Sequence, residues 1–337
     1  MSIAYLGLRF CVSSSQTIAA ESALQSPTQQ TNVHTCREHC LGTSGCKSFS
    51  YDVIARTCQV YGTYGRFVSK RGSLAGRADC GCFSTRNIPW VLHQTWKTKQ
   101  LTGALLDLYN QNQAKSPSWE FKLYDDNDVL AFIKERGTPE ELSAYQLINP
   151  RYGAARADFF RYFVLYHEGG AYMDIKEQLK TDLSRVLQDD DLALLDRKRY
   201  LEAFRQKTGY GTYEQHCLIF AALHPYLRAM LDRLVKFIHD HCATFGSTDH
   251  EMTFFDSGWT KTSNQKQETL RVTGPDALAV AIHDVVISYG IMHREVDLGA
   301  ICDADGKLRD TMYGTAHATH YANAKGPLIT CPPYTSP

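Results

Sequence analysis

Long apolar runs are missing from this chain. No stretch of its 337 residues approaches the roughly 18–20 apolar residues that cross a bilayer, so no membrane span is expected. Charge of one sign is missing too, since 36 Lys+Arg stand against 36 Asp+Glu. That balance excludes a protein built to coat nucleic acid or an anionic membrane, which needs excess basic charge. The stretch from Met1 to Phe10 has neither a basic start nor a long apolar core, so no targeting signal is visible in it. Asn-x-Ser/Thr does not occur, and N-glycosylation gains no support. Cys-x2-Cys pairs, the usual mark of a zinc site, are absent as well.

What is present is ordinary globular material, 43% hydrophobic and 21% charged. Its length suits about two domains at roughly 100–200 residues each. Cysteine divides the chain. Seven of the 11 cysteines, Cys11, Cys36, Cys40, Cys46, Cys58, Cys80 and Cys82, lie before residue 83. Cys217, Cys242, Cys302 and Cys331 are scattered over the remainder. The dense segment favours a disulfide framework over a metal site. Disulfides imply an oxidising setting: a secretory lumen, the extracellular space or a virion. The odd total leaves at least one thiol free or paired between chains. Charge divides only weakly, with net +4 over residues 1–82 and net −4 over the rest.

Within residues 1–82, Thr35 to Cys40 has helical spacing that puts Cys36 and Cys40 on one face. Cys46 follows a Gly-Thr-Ser-Gly turn, and Ser48–Tyr51 and Cys58–Tyr61 read as strands. This pattern resembles the PAN/apple module, a small disulfide-rich α+β domain. The resemblance implies the pairs Cys11–Cys80, Cys36–Cys58 and Cys40–Cys46, with Cys82 left over. Such modules bind protein or carbohydrate, or serve as stabilised spacers.

From residue 83 the composition changes. Ile88–Trp96 and Pro117–Tyr124 read as strands, and Asp125–Asp128 caps a helix running from Val129. Strands alternating with helices predict a parallel α/β sheet. Ligands in such sheets sit beyond the carboxyl ends of the strands, which points to His93–Trp96 and Tyr124–Asp126 as one rim. Phe159, Phe163 and Tyr166 recur at helical spacing, and Gly169-Gly170 ends that helix. Asp158 and Arg161 stand one turn apart on it, placed to face a common cleft or to pair with each other. Ala171-Tyr172-Met173 is a short strand that delivers Asp174 to its carboxyl end. Glu214 precedes a further apolar run, His224-Pro225 opens a helix with a Leu227, Met230, Leu231, Leu234 and Ile238 stripe, and Pro275 starts another. Two local bridges, Cys217 with Cys242 and Cys302 with Cys331, are open possibilities.

Taken in order, several motifs carry a second resemblance. They are Ile88-Pro89 with His93-x-x-Trp96, Leu123-Tyr124-Asp125-Asp126 and Arg156-x-Asp158-x-x-Arg161-Tyr162. Gly169-Gly170-x-Tyr172-x-Asp174 and Thr273-Gly274-Pro275 follow. The set resembles GT-A glycosyltransferases of the DXD-containing sugar transferase group, and distantly the glucosyltransferase domain of large clostridial toxins. The resemblance implies a Rossmann-like α/β catalytic domain over residues 83–337. It implies transfer of a sugar, with retention, from a UDP- or GDP-sugar donor to a glycan or glycoprotein hydroxyl.

His93, Gln94, Trp96, Arg156, Asp158, Arg161 and Tyr172 would then bind nucleotide or donor. Trp96 would stack on the base, and Asp158 would accept from sugar hydroxyls. Arg161 would reach sugar or diphosphate, and Tyr172 would line the diphosphate pocket. Asp174 would hold Mn²⁺ or Mg²⁺, with His317 or His320 as late candidates. The group's Asp-x-Asp is here Asp174-Ile175-Lys176. Asp174 holds the metal alone with help from Glu177 or a late residue, or Lys176 supplies the counter-charge and weakens the metal requirement. The third reading is a catalytically inactive carbohydrate-binding protein with a degenerate motif.

Overall fold

The computed structural model describes residues 12–18, 23–30, 33–52, 55–62, 67–77, 87–189, 191–198, 212–245, 252–255, 258–261, 269, 271–289, 292–304 and 326–332. The chain forms two compact units. The first comprises residues 1–89 with 188–192 and 286–292. The second comprises 90–187, 193–285 and 293–337.

The first unit holds β1 (Val12–Ile18), β2 (Thr28–Gln29), α1 (Val33–Gly42), β3 (Ser48–Asp52), β4 (Thr57–Tyr61) and β5 (Phe67–Arg77). These strands form one sheet in the order β1-β5-β3-β4-β2. The i, i+4 spacing on α1 turns both of its cysteines toward the sheet, where both are fully buried. Cys36 bonds Cys58 on β4, and Cys40 bonds Cys46 just before β3. Both pairs are those the PAN/apple resemblance implies. Cys11, Cys80 and Cys82 lie outside the described residues.

The second unit opens with β6 (Val91–Thr95), α2 (Gly103–Lys115), β7 (Glu120–Tyr124), α3 (Asp126–Arg136), α4 (Pro139–Leu147), α5 (Gly153–Glu168) and β8 (Gly170–Met173). It continues with β9 (Glu177–Leu179), β10 (Ala193–Leu195), β11 (Arg197–Lys198), β12 (Thr212–Tyr213), β13 (Cys217–Phe220) and α6 (Pro225–Phe245). The last elements are β14 (Met252–Phe255), β15 (Gly258–Lys261), α7 (Pro275–Tyr289), β16 (Arg294–Glu295) and β17 (Cys302–Ala304).

Its main sheet runs β16-β10-β13-β8-β6-β7. The expected all-parallel sheet is corrected here. β7, β6 and β8 are parallel, but β13 pairs antiparallel with both β8 and β10. The reversal is functional in its consequence, because the start of β13 comes to lie beside the end of β8. Cys217 pairs in register with Met173.

Local chemistry explains the elements. Asp125, rather than the whole Asp125–Asp128 run, caps α3, accepting from the Asn127 and Asp128 amides while Asp128 reaches back to the Asp125 amide. Residues 158–166 of α5 are buried on every side, so this helix is the core of the unit rather than a surface helix. Gly169 (φ 67°) stops it in a left-handed conformation. Gly170 has φ 92°, and an added Cβ would sit 2.3 Å from the Val91 carbonyl oxygen. Only glycine allows β8 to follow α5 and still pair beside β6. The stripe Leu227, Met230, Leu231, Leu234 and Ile238 on α6 is fully buried, as its spacing predicts. The later cysteines pair across rather than locally, Cys217 with Cys302 and Cys242 with Cys331. The open local pairings are thereby corrected. β17 pairs with β9 beside the end of β8, and that brings Cys302 to Cys217.

Candidate active site

The site is built at the carboxyl end of β8, where α5 crosses the sheet. Asp158 and Arg161 share a face of α5 and meet at 3.1 Å, each with only 5% of its side chain exposed. The same Arg161 nitrogen donates to Asp174 Oδ1 at 3.0 Å. Its other terminal nitrogen donates to the Gln215 carbonyl at 2.7 Å. The guanidinium lies over the Tyr172 ring, 4.9 Å from the centroid. The local pair and the common site are therefore one arrangement: Arg161 ties Asp158 to Asp174.

Asp158 has further partners. Thr273 Oγ1 donates to Asp158 Oδ2 at 2.7 Å, and Gln215 Nε2 donates to Oδ1 at 3.3 Å. Tyr162 donates to Gln215 Oε1 at 2.6 Å and lies 2.9 Å from the Thr273 carbonyl, so it braces both donors. Burial lifts the Asp158 carboxyl to about 6 against the opposing pull of Arg161 and Thr273. Arg161 keeps its charge. Burial opposes it, but the two carboxylates outweigh burial and push its pKa up.

Gln215 and Thr273 were not singled out as site residues in the sequence. Thr273 did carry one signal, its place at the head of the Thr-Gly-Pro motif before α7. Gln215 had none, because its position depends on β13 running antiparallel to β8. Glu214 lies close by, and its Oε2 accepts from His216 Nδ1 at 3.0 Å.

His93 and Gln94 on β6 are both fully buried. His93 Nε2 lies 3.0 Å from the Gly169 carbonyl and Nδ1 lies 3.1 Å from the Tyr124 hydroxyl. The imidazole is neutral: burial lowers its pKa to about 3. It fastens the end of α5 to β6 and β7. Arg156 is likewise engaged within the fold, donating to the Ile148 carbonyl and lying over the Tyr145 ring. Tyr172 is buried beneath Arg161, and its hydroxyl meets Thr95 Oγ1 at 2.9 Å. Trp96 is partly buried against Leu101, Leu105 and Ile175, with the Lys97 ammonium 5.7 Å from its ring centroid. His317 and His320 lie outside the described residues.

Strand alternation predicts Asp174 and Lys176 on one side, but β8 ends at Met173. Asp174 to Glu177 instead form a turn, in which the Glu177 amide donates to the Asp174 carbonyl at 2.9 Å.

Residues 95–193 match the family model described as glycosyltransferase sugar-binding region containing DXD motif. The chain carries a glycosyltransferase sugar-binding region. Residues 11–85 match the PAN domain. The second unit has a GT-A-like α/β fold with a mixed sheet, and the PAN domain is small and disulfide-rich. Inositol phosphoceramide mannosyltransferase 3 of Schizosaccharomyces pombe is 27% identical over 154 residues, covering 46% of this chain and 39% of that protein. Inositol phosphoceramide mannosyltransferase 1 of the same organism is 28% identical over 162 residues, covering 45% of this chain and 44% of its own length. This chain thus spans about two fifths of the length of those relatives. The PaToxG glycosyltransferase structure aligns with TM-score 0.42 and 16% identity over 70% of this chain and 78% of its own.

Members of the DXD family typically use a divalent metal. Hard cations take oxygen ligands, and Mg²⁺-like ions need only one or two carboxylates when substrate phosphates complete the shell. Asp174 keeps 28% of its side chain exposed. Among the described residues no cluster of three or more His, Cys, Asp and Glu forms a ready-made cage. The donor set fits a cation completed by a bound diphosphate.

Proposed function

We propose that the chain is a hexosyltransferase that moves a sugar from a UDP- or GDP-sugar to a hydroxyl of a glycan or glycoprotein, with retention at the anomeric carbon. In this reading residues 83–337 form the transferase domain and residues 1–82 the PAN module. The observation that carries it is the Asp158–Arg161–Asp174 linkage at the carboxyl end of β8, inside the stretch matched by the glycosyltransferase family. A strand end with convergent charged side chains is where α/β sheets bind ligands.

Each side chain has a part. Asp158, ionised at neutral pH and held by three donors, accepts from donor-sugar hydroxyls. Arg161 presents positive charge to the sugar or diphosphate while fixing both carboxylates. Trp96 offers an indole face to the base. Asp174 holds Mn²⁺ or Mg²⁺, which supplies charge stabilisation to the diphosphate when bound. His93, Gln94, Arg156 and Tyr172 position this set from beneath. The bond between the anomeric carbon and the diphosphate oxygen breaks, and a bond to the acceptor oxygen forms on the same face. The acceptor proton passes to the departing diphosphate. The disulfides and the PAN domain support a secretory or extracellular setting.

The test is donor hydrolysis over a panel of UDP- and GDP-sugars, GDP-mannose included, with and without Mn²⁺. Turnover of one donor, lost in Asp174→Ala, is the expected result. A second reading rests on Lys176 in place of the motif's second Asp: a carbohydrate-binding protein without turnover. It predicts a folded protein that binds sugar and hydrolyses no donor.

A further inference from the structure

Resting on the transferase reading, we infer that Glu177 supplies the second carboxylate that the Asp174-Ile175-Lys176 motif lacks, and that it acts as a ligand to the divalent cation beside Asp174. A second protein carboxylate strengthens a cation site that otherwise relies on one acid and the substrate's phosphates. In a strand, positions i and i+2 would share a side. This chain has a turn instead, closed by the Glu177 amide on the Asp174 carbonyl. A turn of this kind brings residues i and i+3 within about 7 Å of each other at Cα. The acid has moved one position along the chain, and the change from strand to turn returns it to its neighbour.

The turn is held from both sides. Ile175 is buried in a cluster with Leu101 and Leu105. The Asn112 side chain donates to the Glu177 carbonyl at 2.8 Å and accepts from the Leu179 amide at 2.9 Å. β9 then pairs with β17 from Glu177 onward.

The side chain itself asks for a partner. Glu177 is 4% exposed, and its Oε2 is buried with no hydrogen-bond partner among the described residues. A buried carboxylate oxygen left unsatisfied is costly, and native structures retain few of them. A cation between the two acids would satisfy the stranded oxygen and remove their mutual repulsion. Lys176, between them in sequence, is then left to the diphosphate rather than to the metal.

The experiment is Mn²⁺ binding, read by the loss of the free-ion EPR signal, on the whole chain with saturating UDP or GDP. Glu177→Gln removes the charge and keeps the shape. The expected result is Mn²⁺ affinity weakened at least about tenfold, with a melting temperature at or above that of wild type, since an unpartnered buried acid is removed. Asp174→Asn is expected to lose Mn²⁺ as well. Should E177Q fail to fold, Glu177→Met carries the same test. Unchanged Mn²⁺ affinity in a folded Glu177 variant overturns the inference, as does a wild type that binds nucleoside diphosphate but no Mn²⁺. Calorimetric binding of UDP and GDP, with and without Mn²⁺, separates the two levels. Nucleotide binding with unaltered Mn²⁺ affinity in E177Q sinks only the role of Glu177. No nucleotide binding at all sinks the transferase reading with it.

Discussion

Arg161 and Asp174 are joined by a 3.0 Å hydrogen bond that connects the middle of the buried helix α5 to the end of strand β8. One terminal nitrogen of Arg161 serves both Asp158 and Asp174, and the other donates to the Gln215 carbonyl. Lysine has a single ammonium and cannot reproduce this fork. Arg161→Lys is therefore expected to abolish donor turnover and to destabilise the fold by about 3–5 kcal/mol, the cost of stranding buried carboxylates. Urea denaturation and donor hydrolysis on the same preparation check both parts.

Thr273 is the one hydroxyl donor to Asp158 among the described hydrogen bonds. Thr273→Val keeps its shape and leaves Asp158 Oδ2 short of a donor in a dry setting. A loss of about 1–3 kcal/mol is expected. Thr273→Ser is expected to restore most of it. A valine variant as stable as wild type would show that this bond contributes nothing to the fold.

His93 gives stability a defined pH dependence. Its folded pKa, about 3, lies below its ordinary value of 6.5 because of burial. Between those values the unfolded chain binds a proton that the folded chain refuses, so stability falls as pH drops from 6.5 toward 3. The full contribution is on the order of 5 kcal/mol. His93→Gln is expected to flatten that part of a melting-temperature profile. Parallel profiles for the variant and wild type would sink the assignment.

Gly170→Ala places a methyl group 2.3 Å from the Val91 carbonyl oxygen at a φ of 92°. Both faults lie in backbone, which cannot step aside. The variant is expected to lose about 2 kcal/mol or more, or to be insoluble, while Gly153→Ala, with nothing within 4 Å, is expected to be mild. Thermal melts of the pair decide it.

Much of this was legible in the chain. The cysteine spacing on α1, the caps at Asp125 and Pro275, the two glycines after α5 and the stripe on α6 are local signals, set by residues close in sequence. The linkage of Asp158 with Arg161 was legible as a one-turn spacing. The misses are non-local. Gln215 reaches the site because β13 runs antiparallel to β8, and no residue in β13 announces its direction. The cysteine partners at 217 and 302, and at 242 and 331, are set by which strands and helices meet. The burial of His93 and Gln94 was not legible either, because strand position says where a residue is along the sheet, not how deeply it is covered. The place of Lys176 turned on the Asp174–Glu177 turn, closed by the Glu177 amide on the Asp174 carbonyl.

The two late disulfides overlap in sequence, since Cys242 falls between Cys217 and its partner Cys302, and Cys331 lies beyond both. A protease that severs any one peptide bond between residues 217 and 331 therefore releases no fragment. The nicked protein keeps its full mass on a non-reducing gel and comes apart only after a thiol is added. Survival of the chain among proteases is then decided by how long its sulfur bonds last, rather than by how many of its loops are cut.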